Sequence, residues 1–203
     1  MTATMFEIQE LSTSFIQRML SAKVWSNNCP LSLNRLRLLK VSHYNFKGQI
    51  QQGQIVVLDK IAGQVLNIFE ALLLVKFLIY NIQTIDRYRG DDKLSMQANN
   101  SSCFNFRAIN DSKQLSMHSY GLAIDINPIQ NPCIIIKEDN QVEIWPKAGT
   151  EFLNRQNLRP GMVEPIIHIF HKYGFTEWGG NWNTPIDYHH FQLPKSKINH
   201  DLL

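Results

Sequence analysis

The sequence predicts an α+β fold in one domain, with helices packed on a small antiparallel sheet. Three observations predict it. Apolar residues recur at helical spacing over 6–22 and 60–75. Two segments, 36–58 and 133–145, read as strand, turn and strand. Between them a short run at 122–127 alternates side chains as a central strand does. With 203 residues, 44% of them hydrophobic, the chain can bury a substantial core without covalent staples.

Taken in order, Ile8, Leu11, Phe15 and Met19 mark one face of a helix over 6–22, which residues 27–30 break. A strand at 36–44 and a second at 54–58, separated by Lys47-Gly48 and Gln52-Gly53, form a sheet edge or hairpin. Asp59 stands at an N-cap position, and Ile61, Val65, Ile68, Phe69 and Leu72 follow on one face of a helix over 60–75. The apolar run at 71–80 is interrupted by Lys76, is too short to span a bilayer, and reads as buried core. Residues 77–85 are β-prone, and the polar stretch 87–100, with Gly90, two Asp and two Asn, reads as a loop. A strand-like piece at 104–109 and a turn at 110–112 lead to the run at 122–127, where Leu122, Ile124 and Ile126 face one way and Ala123, Asp125 and Asn127 the other. Pro128 and Pro132 end it. A hairpin of architectural role follows over 133–137 and 141–145, turning at Asp139-Asn140. After Arg159-Pro160-Gly161, a helix carries Val163, Ile166, Ile167 and Phe170 on one face and closes at Gly174. Repeats, low-complexity tracts and flexible linkers are absent from the sequence, so the chain folds as one unit.

Twenty basic residues against 17 acidic ones leave a scattered charge of +3, which argues against nucleic acid as a partner. Cys29, Cys103 and Cys133 are odd in number and far apart; one bridge is allowed, and none forms a Cys-x-x-Cys pair. The first ten residues carry no basic segment leading into an apolar stretch, so no secretory signal is read there.

Two stretches carry chemistry. Residues 116–127 read Ser-Met-His-Ser-Tyr-Gly-Leu-Ala-Ile-Asp-Ile-Asn, with Asp125 seven residues after His118. Near the C-terminus, residues 177–193 include Trp178-Gly179-Gly180-Asn181-Trp182 and Asp187-Tyr188-His189-His190-Phe191. Two histidines and one carboxylate can hold a zinc ion with a fourth position open, and the second carboxylate is then free to act as a base. His189 and His190 compete for the second histidine position, since neighbours along a strand face opposite sides.

Together these motifs resemble those of the zinc D-alanyl-D-alanine carboxypeptidases and their relatives, the D-Ala-D-Ala dipeptidases and L-alanyl-D-glutamate endolysins. The family pattern is Ser-x-His-x6-Asp, a Trp-Gly-Gly-x-Trp segment, and an acidic residue shortly before a His followed by an aromatic. Every part is present in order, most strongly over 107–193. The resemblance implies the fold shared by zinc DD-peptidases and Hedgehog signalling domains, with the metal-site core over 91–203, while the N-terminal helices and hairpin over 1–90 are placed by periodicity alone. It implies one zinc ion held by His118, Asp125 and His190, the last because the family ligand directly precedes the aromatic. Asp187 is then the general base and later the proton donor to the leaving amine. Arg107, upstream of the metal motif, is the candidate to hold the substrate carboxylate or the oxyanion, with Arg87 and Arg89 as rivals. Ser116 matches a family serine that bonds substrate or the ligand loop, against a plain turn role, and Trp182 is a candidate cleft wall. His168 and His171, at i and i+3, read as a solvated helix face.

The implied activity is hydrolysis of peptidoglycan stem peptides, with removal of a terminal D-alanine first and L-alanyl-D-glutamate endopeptidase cleavage second. A zinc-containing module that binds cell-wall peptide or a protein without cutting it is the alternative of another class. The family places such a protein in the cell envelope, periplasmic or extracellular, against which the absence of a visible signal stands.

Overall fold

The computed structural model describes residues 4–109, 113–198 and 202. The helix expected over 6–22 is divided. β1 (Phe6–Glu10) pairs antiparallel with the edge of a long strand, and α1 (Thr13–Ser21) begins only where Ser12 Oγ accepts a hydrogen bond from Phe15 N. Phe15 and Met19 lie on the buried stripe, whereas Ile8 is 44% exposed and belongs to no helical face. β2 (Leu36–Tyr44) and β3 (Ile50–Leu58) form a full ladder from Leu36 opposite Leu58 to Tyr44 opposite Ile50. The second strand starts earlier than expected because Asn45 closes the turn, its Oδ1 accepting from Lys47 N at 2.9 Å and Gln49 N at 3.0 Å.

α2 (Ala62–Leu74) follows a 3₁₀ turn, Asp59–Ile61, and buries Val65, Ile68, Phe69 and Leu72. Asp59 does not cap the helix; its two oxygens take Arg35 Nε at 2.9 Å and Nη2 at 3.0 Å. Past Leu72 the run surfaces, with Leu74, Val75 and Tyr80 at 83%, 54% and 55% exposure, so residues 71–80 are only partly core. β4 (Asn81–Ile82) lies parallel to β5 (Asn100–Ser101). The stretch between them, read from the sequence as loop, holds a 3₁₀ turn (Ile85–Tyr88) and α3 (Asp92–Gln97), which Asp91 caps by accepting from Leu94 N. Residues 104–109 are extended rather than a strand, with one bridge between Ala108 and Leu115, and the expected turn at 110–112 lies outside the described residues.

The rest of the chain adds β6 (Ala123–Asp125), β7 (Cys133–Ile136), β8 (Val142–Trp145), α4 (Ile167–Lys172), β9 (Glu177–Trp178), β10 (Ile186–Asp187) and β11 (His190–Gln192). The architecture is α+β, but the single expected sheet is three small antiparallel ones, ordered β1-β2-β3, β10-β7-β8 and β6-β11-β9. β11 is fixed from below: Phe191 stacks on Phe170 of α4 with centroids 3.9 Å apart, and Trp178 stacks on its other side. Cys29, Cys103 and Cys133 are all free thiols. Among the described residues no helix is long and apolar enough to cross a membrane.

His43 on β2 is 3% exposed, and neither ring nitrogen has a hydrogen-bond partner. Burial pulls its pKa from 6.5 down to about 4. An unfolded histidine takes up its proton near 6.5, so between these values the unfolded chain binds more protons and stability falls as pH falls. Urea unfolding of the metal-free protein at pH 7 and pH 4.5 should show a loss of roughly 2–3 kcal/mol that His43→Leu removes. An identical acid loss in the variant would show that His43 does not carry it.

Candidate metal centre

Strand register builds the site. β11 pairs antiparallel with β6, placing His190 opposite Asp125 and Phe191 opposite Ile124. Residues directly opposite share a face. Asp125 and His190 therefore project together while Ile124 and Phe191 pack into the core. The third member, His118, comes from a 3₁₀ turn, Met117–Tyr120, whose entry is capped by Ser116 Oγ accepting from His118 N at 3.3 Å. Gly121 ends that turn at φ +61°, and a Cβ there would lie 2.7 Å from Leu58 N, so the turn is seated directly on β3.

His118 Nε2 lies 3.1 Å from Asp125 Oδ2 and 3.2 Å from His190 Nδ1, and His190 Nδ1 lies 3.1 Å from Asp125 Oδ1. Bonds of about 2.0–2.2 Å to a tetrahedral ion place its ligands about 3.3–3.6 Å apart, close to this spacing. The far side of each ring is spoken for. His118 Nδ1 faces the Cys103 carbonyl at 2.6 Å, which can only accept, and His190 Nε2 faces Gln192 Oε1 at 2.9 Å. With the ring protons on these outer nitrogens, as a bound cation would require, two lone pairs and a carboxylate would converge on one point. Such a donor set fits a cation, and His118, Asp125 and His190, all buried, could hold a metal ion. Burial pushes the Asp125 carboxyl up, but the charges of His118 and His189 and hydrogen bonds from His118 and His190 hold it well below the usual carboxylate range.

Asp187 stands beside this group on β10, an edge strand paired with β7 so that Asp187 is opposite Cys133. The β7–β8 hairpin therefore does more than frame the fold: it holds the second carboxylate. Gly179 permits the approach, since a Cβ there would lie 2.5 Å from Asp187 O and 2.9 Å from Asp187 Cβ. His189 precedes β11, beyond the strict alternation of the strand, and does not turn fully away. Its Nε2 is 3.0 Å from Asp187 Oδ1 and 4.0 Å from Asp125 Oδ2, and its Nδ1 donates to Asn131 O at 2.7 Å. Burial lowers its pKa, but the two carboxylates outweigh that and hold it up to about 10. Asp187 Oδ1 is buried against this ring as its ion-pair partner. Trp182 lies against the His190 ring with centroids 5.2 Å apart, forming a wall of the group.

Residues 110–193 match the family model described as D-alanyl-D-alanine carboxypeptidase. The match spans less than half of the chain and is a likeness to that family over this segment. The matched segment contains His118, Asp125, Asp187 and His190 and leaves β1 through α3 outside it. No curated protein and no solved structure matches the chain.

Arg107 lies just upstream of the matched segment, joined to the turn that carries His118 by its backbone: its N–H donates to Ser119 Oγ at 3.0 Å and its carbonyl accepts from Ser116 N at 3.1 Å. Its Nη2 pairs with Asp92 of α3 at 2.9 Å, and its buried Nε has no hydrogen-bond partner. Burial raises the Cys133 thiol pKa, the charges of Asp187, Asp125 and Asp92 add to that, and Arg107 opposes them. Arg87 and Arg89 are exposed, as are His168 and His171. Ser116 is 5% exposed, with its hydroxyl committed to the ligand turn. Sequence reasoning missed Asn131, Gln192 and Glu177. Gln192 had a signal, standing two residues after His190 on the same strand face.

A divalent metal at a hundredfold excess over its Kd should stabilise the wild type by about 2.7 kcal/mol, read as a rise in Tm. His118→Ala, Asp125→Ala and His190→Ala should each abolish that rise. A metal-dependent rise that survives all three would place the ion elsewhere.

Proposed function

We propose that this protein is a zinc-dependent D-alanyl-D-alanine carboxypeptidase of the cell envelope, with the fold of DD-peptidases and Hedgehog domains, acting on peptidoglycan stem peptides. The observation that carries the reading is the convergence of His118 Nε2, His190 Nδ1 and Asp125 within 4.8 Å of one another, beside a second carboxylate, Asp187, whose Oδ1 lies 3.0 Å from His189 Nε2.

A bound zinc ion would supply Lewis acidity at the scissile carbonyl and a water acidified toward a pKa of about 7. His118, Asp125 and His190 would hold it. Asp187 takes the proton from the attacking water and delivers it to the leaving amine. Arg107 receives the terminal carboxylate of the substrate, its free Nε edge offering a donor while Asp92 fixes the other end of the guanidinium. The serine of the ligand turn, Ser116, keeps the His118 backbone in place rather than reaching for substrate.

Incubating the purified protein with a muropeptide ending in D-Ala-D-Ala, with and without chelator, and weighing the products tests the reading. Loss of one alanine that chelator suppresses is the expected outcome. Scission between L-Ala and D-Glu would move the protein to the endopeptidases, and no cleavage with zinc bound would leave a binding module. In the active protein, Asp187→Ala should lower kcat by about 10²- to 10⁴-fold with metal still bound. Arg107→Ala should act chiefly through KM. Normal turnover by Asp187→Ala would overturn the mechanism.

A further inference from the structure

His190 can serve a metal through Nδ1 only if its proton sits on Nε2. That nitrogen faces Gln192 Oε1 at 2.9 Å, so the tautomer depends on which way the Gln192 amide points. The two orientations of an amide have the same shape and opposite hydrogen-bonding sense. Flipped, Gln192 would present its NH2 to His190 Nε2, make that nitrogen an acceptor, and move the proton to Nδ1. Nδ1 would then donate toward Asp125 Oδ1, 3.1 Å away, and have no lone pair for a metal. Gln192 is 4% exposed, so water does not decide between the two.

Glu177 decides. β9 pairs with β11 in the register that sets Glu177 opposite Gln192, and Gln192 Nε2 donates to Glu177 Oε2 at 2.5 Å. A carboxylate can only accept, so it captures the NH2 and turns Oε1 toward His190. We propose that Glu177 is a positioning residue for metal binding, which fixes through Gln192 the nitrogen that His190 presents to the ion. The arrangement is a relay of three groups across two strands, from a half-exposed carboxylate through a buried amide to a ligand ring, and each link constrains the next. His118 reaches the same end by a shorter route, since a backbone carbonyl cannot flip.

The inference rests on the metal-binding half of the proposed function and not on hydrolysis, so it is tested without substrate. Zinc affinity is measured by chelator competition, and the tautomer of His190 by ¹⁵N NMR of the metal-free protein, with circular dichroism to follow the fold. Glu177→Ala and Gln192→Leu should each weaken zinc about 10- to 100-fold, and Glu177→Ala should give His190 a mixture of tautomers. Glu177→Gln keeps the size but can donate as well as accept, so it no longer forbids the flipped amide, and should also weaken zinc and give His190 a mixture of tautomers. Unchanged zinc affinity in either truncated variant would overturn the proposal. So would a Glu177→Gln protein with wild-type zinc affinity and His190 wholly in the Nε2–H form, because an acceptor-only partner would then not be what sets the amide. If Glu177→Ala does not fold, Gln192→Leu and Glu177→Gln decide between the same outcomes.

Discussion

The pairing of β6 with β11 is the constraint on which the rest depends. Because His190 is opposite Asp125, a carboxylate and an imidazole separated by 65 residues share one face of a small sheet. A slip of one residue would send both into the core and bring Ile124 and Phe191 out. The register is held on both sides. Asp125 exchanges backbone hydrogen bonds with Ser102 at 2.9 and 3.1 Å, and Phe191 is clasped between Phe170 and Trp178. Full burial of a residue such as Phe191 contributes roughly 1.5–3 kcal/mol, which offsets part of what it costs to gather charged donors in a place with little water.

A second knot ties the site to the surrounding loops. Asn131 Nδ2 donates to the carbonyls of Ile126, Asn127 and Gly161, and its Oδ1 accepts from Val163 N and Arg155 Nη2. Its own carbonyl accepts from His189. Arg155 in turn forms a forked pair with Glu164, at 2.5 and 2.7 Å, and lies over the Tyr188 ring. The chain between β6 and β7 is thereby fastened to the segment entering α4 and to the residues just before β11. Asp187 and His189 inherit their positions from this network, whereas the three metal-directed residues inherit theirs from the sheet and the ligand turn.

What was legible in the sequence was local. The helix over α2, both hairpins and the alternating run around Asp125 follow from periodicity and turn residues, and the spacing of His118, Asp125, Asp187 and His190 is short enough to read as motif. β1 was hidden because Ile8 and Leu11 fall by chance at helical spacing with Phe15, and only pairing with β2 decides the matter. α3 was hidden in a polar stretch that carries no apolar stripe, although Asp91 was a readable cap. Asn131, Glu177 and Gln192 act through hydrogen bonds that exist only once strands meet. The role of the β7–β8 hairpin in holding Asp187 was equally invisible, since it depends on a cross-strand partner more than 50 residues away.

The central claim is that one cation belongs at the meeting point of His118 Nε2, His190 Nδ1 and an Asp125 oxygen. Anomalous diffraction at the zinc edge from crystals grown with equimolar zinc tests it most directly. One strong peak within about 2.0–2.2 Å of those three atoms is the result the account predicts. A peak bonded to His189 in place of His190, or no ordered zinc at the group, would contradict it.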